Sequence, residues 1–333
     1  MFKNKTILVT GGTGSFGKAF VKHLISNHNN FKKLIIFSRD ELKQFDMSQQ
    51  KEFQNPKLRM FLGDIRDRER LNSAFENVDI VIHAAALKQV PAAEYNPFEY
   101  IKTNVLGTQN IIGAALDNKV KDVISLSTDK ASSPINLYGA TKLCSDKLIL
   151  TASNFKGSKK TNFTVVRYGN VTGSRGSVIP LFKKINRMKK KLPLTHEKMT
   201  RFNISLNGAI DLVKTALKNK TKNAIFVPKL KSFYIKDLAE AISGKKNNFN
   251  IVGIRPGEKI HEELINPAEA RYTVELKNFY IILNDMSETE IIKFCKLNKC
   301  KRVKTSFSYN SGDNKSFIDI KSLKKIAEKN QTH

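Results

Sequence analysis

Residues 5–25 limit the possible folds more than any other stretch. Lys5-Thr6-Ile7-Leu8-Val9-Thr10 is a nearly continuous apolar run rich in β-branched residues, the pattern of a parallel strand buried on both faces. Gly11-Gly12-Thr13-Gly14-Ser15-Phe16-Gly17 follows at once, and Lys18–Ile25 then spaces its apolar residues helically. Strand, glycine loop and helix in this order form a dinucleotide cradle. The glycines allow a tight turn, let backbone approach a pyrophosphate and pack the helix on the strand. The helix amino end presents N–H groups and a positive dipole end to phosphate. A ligand-free glycine turn is the plainer alternative.

The alternation continues. Strands are expected at Leu34–Phe37, Leu58–Leu62, Val78–His83 and Val123–Ser127, with helical stretches between them, notably 40–52 and 96–117. This predicts an α/β chain built on a doubly wound parallel sheet, whose ligands lie beyond the carboxyl ends of the strands. After the second strand comes Ser38-Arg39-Asp40. Arg39 suits the 2′-phosphate of NADP, while Asp40 suits the ribose hydroxyl of NAD or caps the next helix. After the third, Gly63-Asp64-Ile65 is placed to meet adenine. After the fourth, Ala84-Ala85-Ala86 leaves room for a cofactor, and His83 reads as a packed histidine. After the fifth comes Ser127-Thr128-Asp129-Lys130, then Tyr138-Gly139-Ala140-Thr141-Lys142. Tyr138 and Lys142 share a helix face, and an ammonium beside a phenol lowers its pKa from ~10. Such a phenol takes a proton from an alcohol while a nicotinamide takes the hydride.

Composition excludes other classes. At 40% hydrophobic and 26% charged residues, the chain is globular rather than disordered. No apolar run reaches the ~18 residues of a membrane span. The amino terminus is no secretory signal, and Cys144, Cys295 and Cys300 lack partners at zinc spacing, so no metal and a cytoplasmic location are expected. Net charge is +28 and uneven: residues 1–150 hold 21 basic and 15 acidic side chains, residues 151–333 hold 37 and 15. A basic second half suits an anionic ligand, with a lysine-rich solvated surface accounting for most of the excess. Lys183–Lys191 also reads as a basic amphipathic helix that could touch membrane or RNA, although no nucleic-acid partner is expected.

Residues 5–17 with Tyr138 and Lys142 resemble the extended short-chain dehydrogenase/reductase superfamily. Ser38–Lys43, Ser127–Lys142 and Arg167-Tyr168-Gly169-Asn170-Val171 more closely resemble its inverting UDP-N-acetylglucosamine 4,6-dehydratases, the PseB type of pseudaminic acid synthesis. Reductases and 4-epimerases of the superfamily usually lack the Asp-Lys pair. Retaining dehydratases usually lack the tyrosine and add membrane spans. The resemblance implies a Rossmann-like lobe over 1–168 and 204–228, and a smaller UDP-sugar lobe over 169–203 and 229–333. It implies NADP, UDP-N-acetylglucosamine as substrate and a homo-oligomer. Tyr138 would take the carbon-4 hydroxyl proton, Lys130 the carbon-5 hydrogen, and Asp129 would protonate the departing carbon-6 hydroxyl. Lys130 must then be partly neutral, with Asp129 favouring its charge and Lys142 opposing it. Cofactor contacts are implied for Gly11, Thr13, Gly14, Ser15, Phe16 and Gly17, for Ser38, Arg39, Asp40 and Lys43, and for Asp64 and Ile65. Ala84, Ala85, Ala86, Lys88, Asn104 and Val171 are implied as well, beside Tyr138 and Lys142. Substrate contacts are implied for Lys88, Thr128, Asn170, Arg175, Gly176, Ser177 and Val178, and for Thr200, Arg201, Arg255 and Glu258. A 4-epimerase or reductase is the second reading, and a cofactor-binding regulatory protein the third. Residues 285–333 carry no expected chemistry.

Overall fold

A computed structural model describes residues 1–173, 177–219, 221–284 and 286–329. Six strands form the first half: β1 (Thr6–Thr10), β2 (Lys33–Ser38), β3 (Leu58–Leu62), β4 (Ile80–His83), β5 (Asp122–Thr128) and β6 (Asn162–Tyr168). Their side chains alternate between two cores. Ile7, Val9, Leu34, Ile36, Ile80 and Ile82 enter one. Leu8, Ile35, Phe37, Val81 and Val123 enter the other. That two-sided burial is why these strands read as unbroken apolar runs. The first core is closed by the helix Ser15–Asn27, through Phe16, Phe20, Val21 and Leu24. The second is closed in part by Gly107–Asp117, through Ile111, Ile112, Ala114 and Ala115.

The strand order is β3-β2-β1-β4-β5-β6, all parallel, with Ile7 beside both Leu34 and Ile80. The order reverses between β1 and β4, and that crevice is where ligands of such sheets bind. Beyond β6 the sheet continues with parallel Ala224–Pro228, then antiparallel Phe279–Leu283, Thr273–Glu275 and Lys301–Arg302. Three strands within 273–302 thus extend the central sheet, and Tyr280, Ile281, Ile282 and Leu283 bury there.

Smaller pieces cover the carboxyl ends of the strands. Asn170–Val171, Thr200–Ile204 and Lys231–Tyr234 form a three-stranded sheet, and Glu263–Ile265 pairs with Tyr309–Asn310. The basic helix spans Val178–Arg187 and stops before 188–191. Its Ile179 and Phe182 share a core with Leu192, Leu238 and Leu323, so its apolar side is covered by the chain itself. Among the described residues no helix is long and apolar enough to cross a membrane.

Candidate active site

A cavity of about 950 Å³ opens where β1 and β4 diverge. Gly11 has φ +65°, and a Cβ there would stand 2.9 Å from the Ala85 backbone; a Cβ on Gly17 would stand 2.5 Å from Gly12 Cα. These are close backbone approaches that glycine alone permits. The helix Ser15–Asn27 begins at Gly14, which makes no side-chain cap, and its first turn holds no carboxylate. Its amino end thus suits a diphosphate. Thr13, Gly14, Ser15, Ser38, Arg39, Asp40, Lys43, Asp64, Ile65, Ala84, Ala85, Ala86 and Lys88 line the cavity. The Thr13 and Ser38 hydroxyls meet at 2.8 Å, tying the loop to the end of β2.

Asp40 takes the capping role. It accepts from Lys43 N at 3.0 Å and pairs with the Lys43 ammonium. Arg39 reaches Asp64 at 3.6 Å, while Arg66 binds the same carboxylate at 2.8 Å. Burial alone would raise the Asp64 carboxyl, but Arg66 and Arg39 hold it below its usual range. His83 is the packed residue expected. Its ring bonds the Thr10 hydroxyl at 2.8 Å and Thr108 at 3.3 Å, and burial lowers its pKa to about 3.

A second cavity of about 660 Å³ shares Gly11, Gly14, Ser15, Ala84, Ala86, Lys88 and Gln89 with the first, so the two are continuous. It is lined by Phe16, Gly17, Thr128, Lys130, Tyr138, Lys142, Asn170, Val171, Ser177, Val178, Arg201, Arg255 and Glu258. Arg255 pairs with Glu258 at 3.7 Å. Their loop is held by Asn136, which donates to Gly257 O at 2.8 Å while capping the helix Leu137–Thr151 through Gly139 N. That helix carries Tyr138 and Lys142. The turn Asp129–Ala131 packs against it so closely that a Cβ on Gly139 would lie 2.2 Å from Lys130 O.

The charges differ from expectation. Burial pushes the Tyr138 phenol up to about 12, and the cation opposing this is Lys130, helped by a hydrogen bond with Thr128. Lys142, expected to lower that phenol, is instead itself lowered by burial and partly restored by Asp146. Nor is Lys130 near neutrality. Its ammonium lies 3.0 Å from Asp129 and 3.1 Å from Glu262. Burial opposes its charge, but the two carboxylates outweigh burial and hold it above the usual lysine range. Glu262 is the residue that sequence reasoning missed.

Two expected contacts lie elsewhere. Asn104 is buried in a π-helical turn, Ile101–Leu106. Its amide accepts from Leu87 N and donates to Leu87 O and Thr141, holding the loop after β4 rather than facing the cavity. Thr200 is fully buried and bonds His261 and Ser311. Asp129 is also fully buried, behind the lysine it pairs with. Arg175 and Gly176 lie outside the described residues. Among the described residues, Ser177 Oγ, Asp129 Oδ2 and Glu262 Oε2 are buried without a hydrogen-bond partner, as polar atoms awaiting a ligand or a proton would be.

Residues 7–284 match the polysaccharide biosynthesis protein family. The inverting UDP-N-acetylglucosamine 4,6-dehydratase of Campylobacter jejuni is 49% identical over 331 residues, 98% of both chains. A UDP-glucose 4-epimerase of Rickettsia rickettsii is 44% identical over 301 residues, 88% of this chain and 87% of that one. Among solved structures, Pen from Bacillus thuringiensis aligns at a TM-score of 0.88 with 38% identity over 99% of both chains. The dTDP-glucose 4,6-dehydratase DesIV of Streptomyces venezuelae shares the fold, at a TM-score of 0.68 and 22% identity, over 77% of this chain and 86% of that one.

Proposed function

Because this chain belongs to the polysaccharide biosynthesis protein family and has the fold of the extended short-chain dehydrogenase/reductases, we propose that it is a configuration-inverting UDP-N-acetylglucosamine 4,6-dehydratase, a hydro-lyase. The observation that carries this reading is Lys130 at the cleft beside Tyr138, with the buried Asp129 paired behind it. A 4-epimerase needs one proton acceptor at carbon 4, whereas elimination needs an acid and a base besides.

The loop Gly11–Gly17 and the ends of β2 and β4 hold a nicotinamide dinucleotide. When bound it supplies hydride acceptance, hydride return and a positive ring charge. Arg39 and Lys43 stand at the ribose end while Asp40 is engaged in capping. That arrangement favours the 2′-phosphate of NADP over a bare hydroxyl. Arg255, Arg201, Asn170 and Ser177 receive the UDP-sugar, with Glu258 toward the ribose.

Tyr138 accepts the carbon-4 hydroxyl proton, assisted by the Lys130 charge. Carbon 5 is then acidified by the adjacent ketone. Lys130 releases its own proton to solvent through the open cleft that it lines and then takes that hydrogen, while Asp129 protonates the leaving carbon-6 hydroxyl. With the hydride restored to carbon 6, reprotonation of carbon 5 from the opposite face gives UDP-2-acetamido-2,6-dideoxy-β-L-arabino-hex-4-ulose, the opening intermediate of pseudaminic acid synthesis.

The relatives named 4-epimerases sustain a second reading, so the test must separate the two. The protein is incubated with UDP-N-acetylglucosamine in deuterated water and followed by NMR. A 4-keto-6-deoxy product with deuterium at carbon 5, formed without net consumption of added NADPH, is expected. A carbon-4 epimer lacking deuterium at carbon 5 would establish epimerisation instead.

A further inference from the structure

Glu262 faces the cleft from a position 132 residues from Lys130 in the chain, and its backbone is fixed at both ends. Its N–H donates to Ser311 Oγ at 2.9 Å, and its carbonyl accepts from Ser311 N at 2.8 Å. Its Oε1 lies between two cations, 3.1 Å from Lys130 Nζ and 3.5 Å from Arg201 Nε. Asp129 is placed differently. Its Oδ1 meets Lys130 Nζ at 3.0 Å and accepts from the Thr128 hydroxyl at 3.0 Å, while its Oδ2 is buried with no partner among the described residues. One ammonium is thus shared by two buried carboxylates, and among the described residues only Glu262 has a second cation within ion-pair distance.

With Asp129 as the lone counter-ion, the lysine would keep that carboxyl ionised and useless as an acid. We propose that Glu262 is the fixed counter-anion of Lys130, and that its charge, clamped by Arg201, leaves Asp129 to carry the proton delivered to the departing carbon-6 hydroxyl. This rests on the dehydratase reading above. Glu262 acts through its neighbours and is therefore a positioning residue. The directions of the shifts agree. Burial raises Asp129 and the Glu262 charge adds to the rise, against the pull of Lys130 and Arg201. Burial would raise Glu262 as well, but Lys130, Arg201 and Lys259 overcome it. Paired carboxylates pushed apart in this way divide acid from anion. The other groups facing Lys130 are Arg201, Tyr138 and Lys88.

The signs of the test follow. Glu262→Gln removes a charge that raises both Asp129 and Lys130. Asp129 then loses its proton at lower pH, and Lys130 becomes neutral at lower pH. In single turnovers with UDP-N-acetylglucosamine in deuterated water, carbon-5 exchange should be retained and its onset should move to lower pH. Water elimination should fall ~10²-fold at neutral pH, the scale of a lost general acid, and its alkaline limb should also move to lower pH. Glu262→Asp, which keeps the anion, should recover most of the elimination. If exchange and elimination fall together while UDP binding is intact, or if neither pH limb moves, the counter-ion role is wrong. A second readout does not depend on the Glu262 variants. Infrared spectra of wild type at neutral pH should contain a protonated carboxyl band that Asp129→Asn lacks, and absence of that band in wild type overturns the proposal. Wild type that yields neither carbon-5 deuterium nor 4-keto product defeats the dehydratase reading itself, a result distinct from any of these.

Discussion

At the scale of single residues, Lys130 has more duties than its sequence position suggests. It is the cation nearest in effect to the Tyr138 phenol and the partner of two carboxylates. Lys130→Ala should abolish carbon-5 exchange and elimination. It should also slow the first oxidation at neutral pH, because the phenol loses the charge that opposes its upward shift. Stopped-flow absorbance of the reduced nicotinamide, followed against pH, checks this. Oxidation should recover as pH rises, and exchange should not. Arg39→Ala should weaken NADP more than NAD, by roughly 10-fold or more for a lost charge-assisted phosphate contact; equal weakening of both removes Arg39 from 2′-phosphate recognition. Asp129, Lys130 and Tyr138 were legible because they lie close together after a recognisable strand. Glu262 was not. It stands next to Glu263, and a local pattern cannot choose between two adjacent glutamates. One turns to Lys130, while the other bonds Ser133 and Ser308, and only the fold separates them.

At the scale of elements, the site depends on one close approach, between the turn Asp129–Ala131 and the helix Leu137–Thr151. Gly139 makes it possible. Gly139→Ala forces a methyl against the Lys130 carbonyl, which is backbone and cannot rotate away. A cost of about 1–3 kcal/mol is expected from overpacking. The acid/base pair should also be displaced from Tyr138, so kcat should fall further than UDP affinity; calorimetry beside steady-state rates separates the two. The parallel strands were readable because burial on both faces leaves apolar runs. The antiparallel additions at Thr273–Glu275 and Lys301–Arg302 were not, being three and two residues long, too short for any periodicity. Asn104 was named by the resemblance alone, and no local pattern announces its place in a π-helical turn, where it bonds Leu87 and Thr141.

At the scale of the molecule, buried titratable groups set the acid limit of the fold. His83 is fully buried and stays neutral down to about pH 3, whereas an unfolded histidine protonates near ~6.5. Between those values the unfolded state binds the extra proton, so stability falls as pH falls, by up to about 1.4 kcal/mol per pH unit from this one group. His83→Gln lacks that dependence. Its deficit relative to wild type should therefore shrink between neutral pH and about pH 5, as urea unfolding would show. A deficit that stayed constant or grew would mean that His83 is charged in the native protein.

The fixing of Glu262 by Ser311 has a consequence for how the protein is made. The six parallel strands and the glycine loop are complete by residue 168, yet Ser311 emerges from the ribosome 143 residues later. At ~5–20 residues per second, that delay is about 7–30 s. A nascent chain can therefore fold around Asp129, Lys130 and Tyr138 well before Glu262 and the serine that fixes it have been made, and those three groups first meet without the carboxylate that later neighbours them.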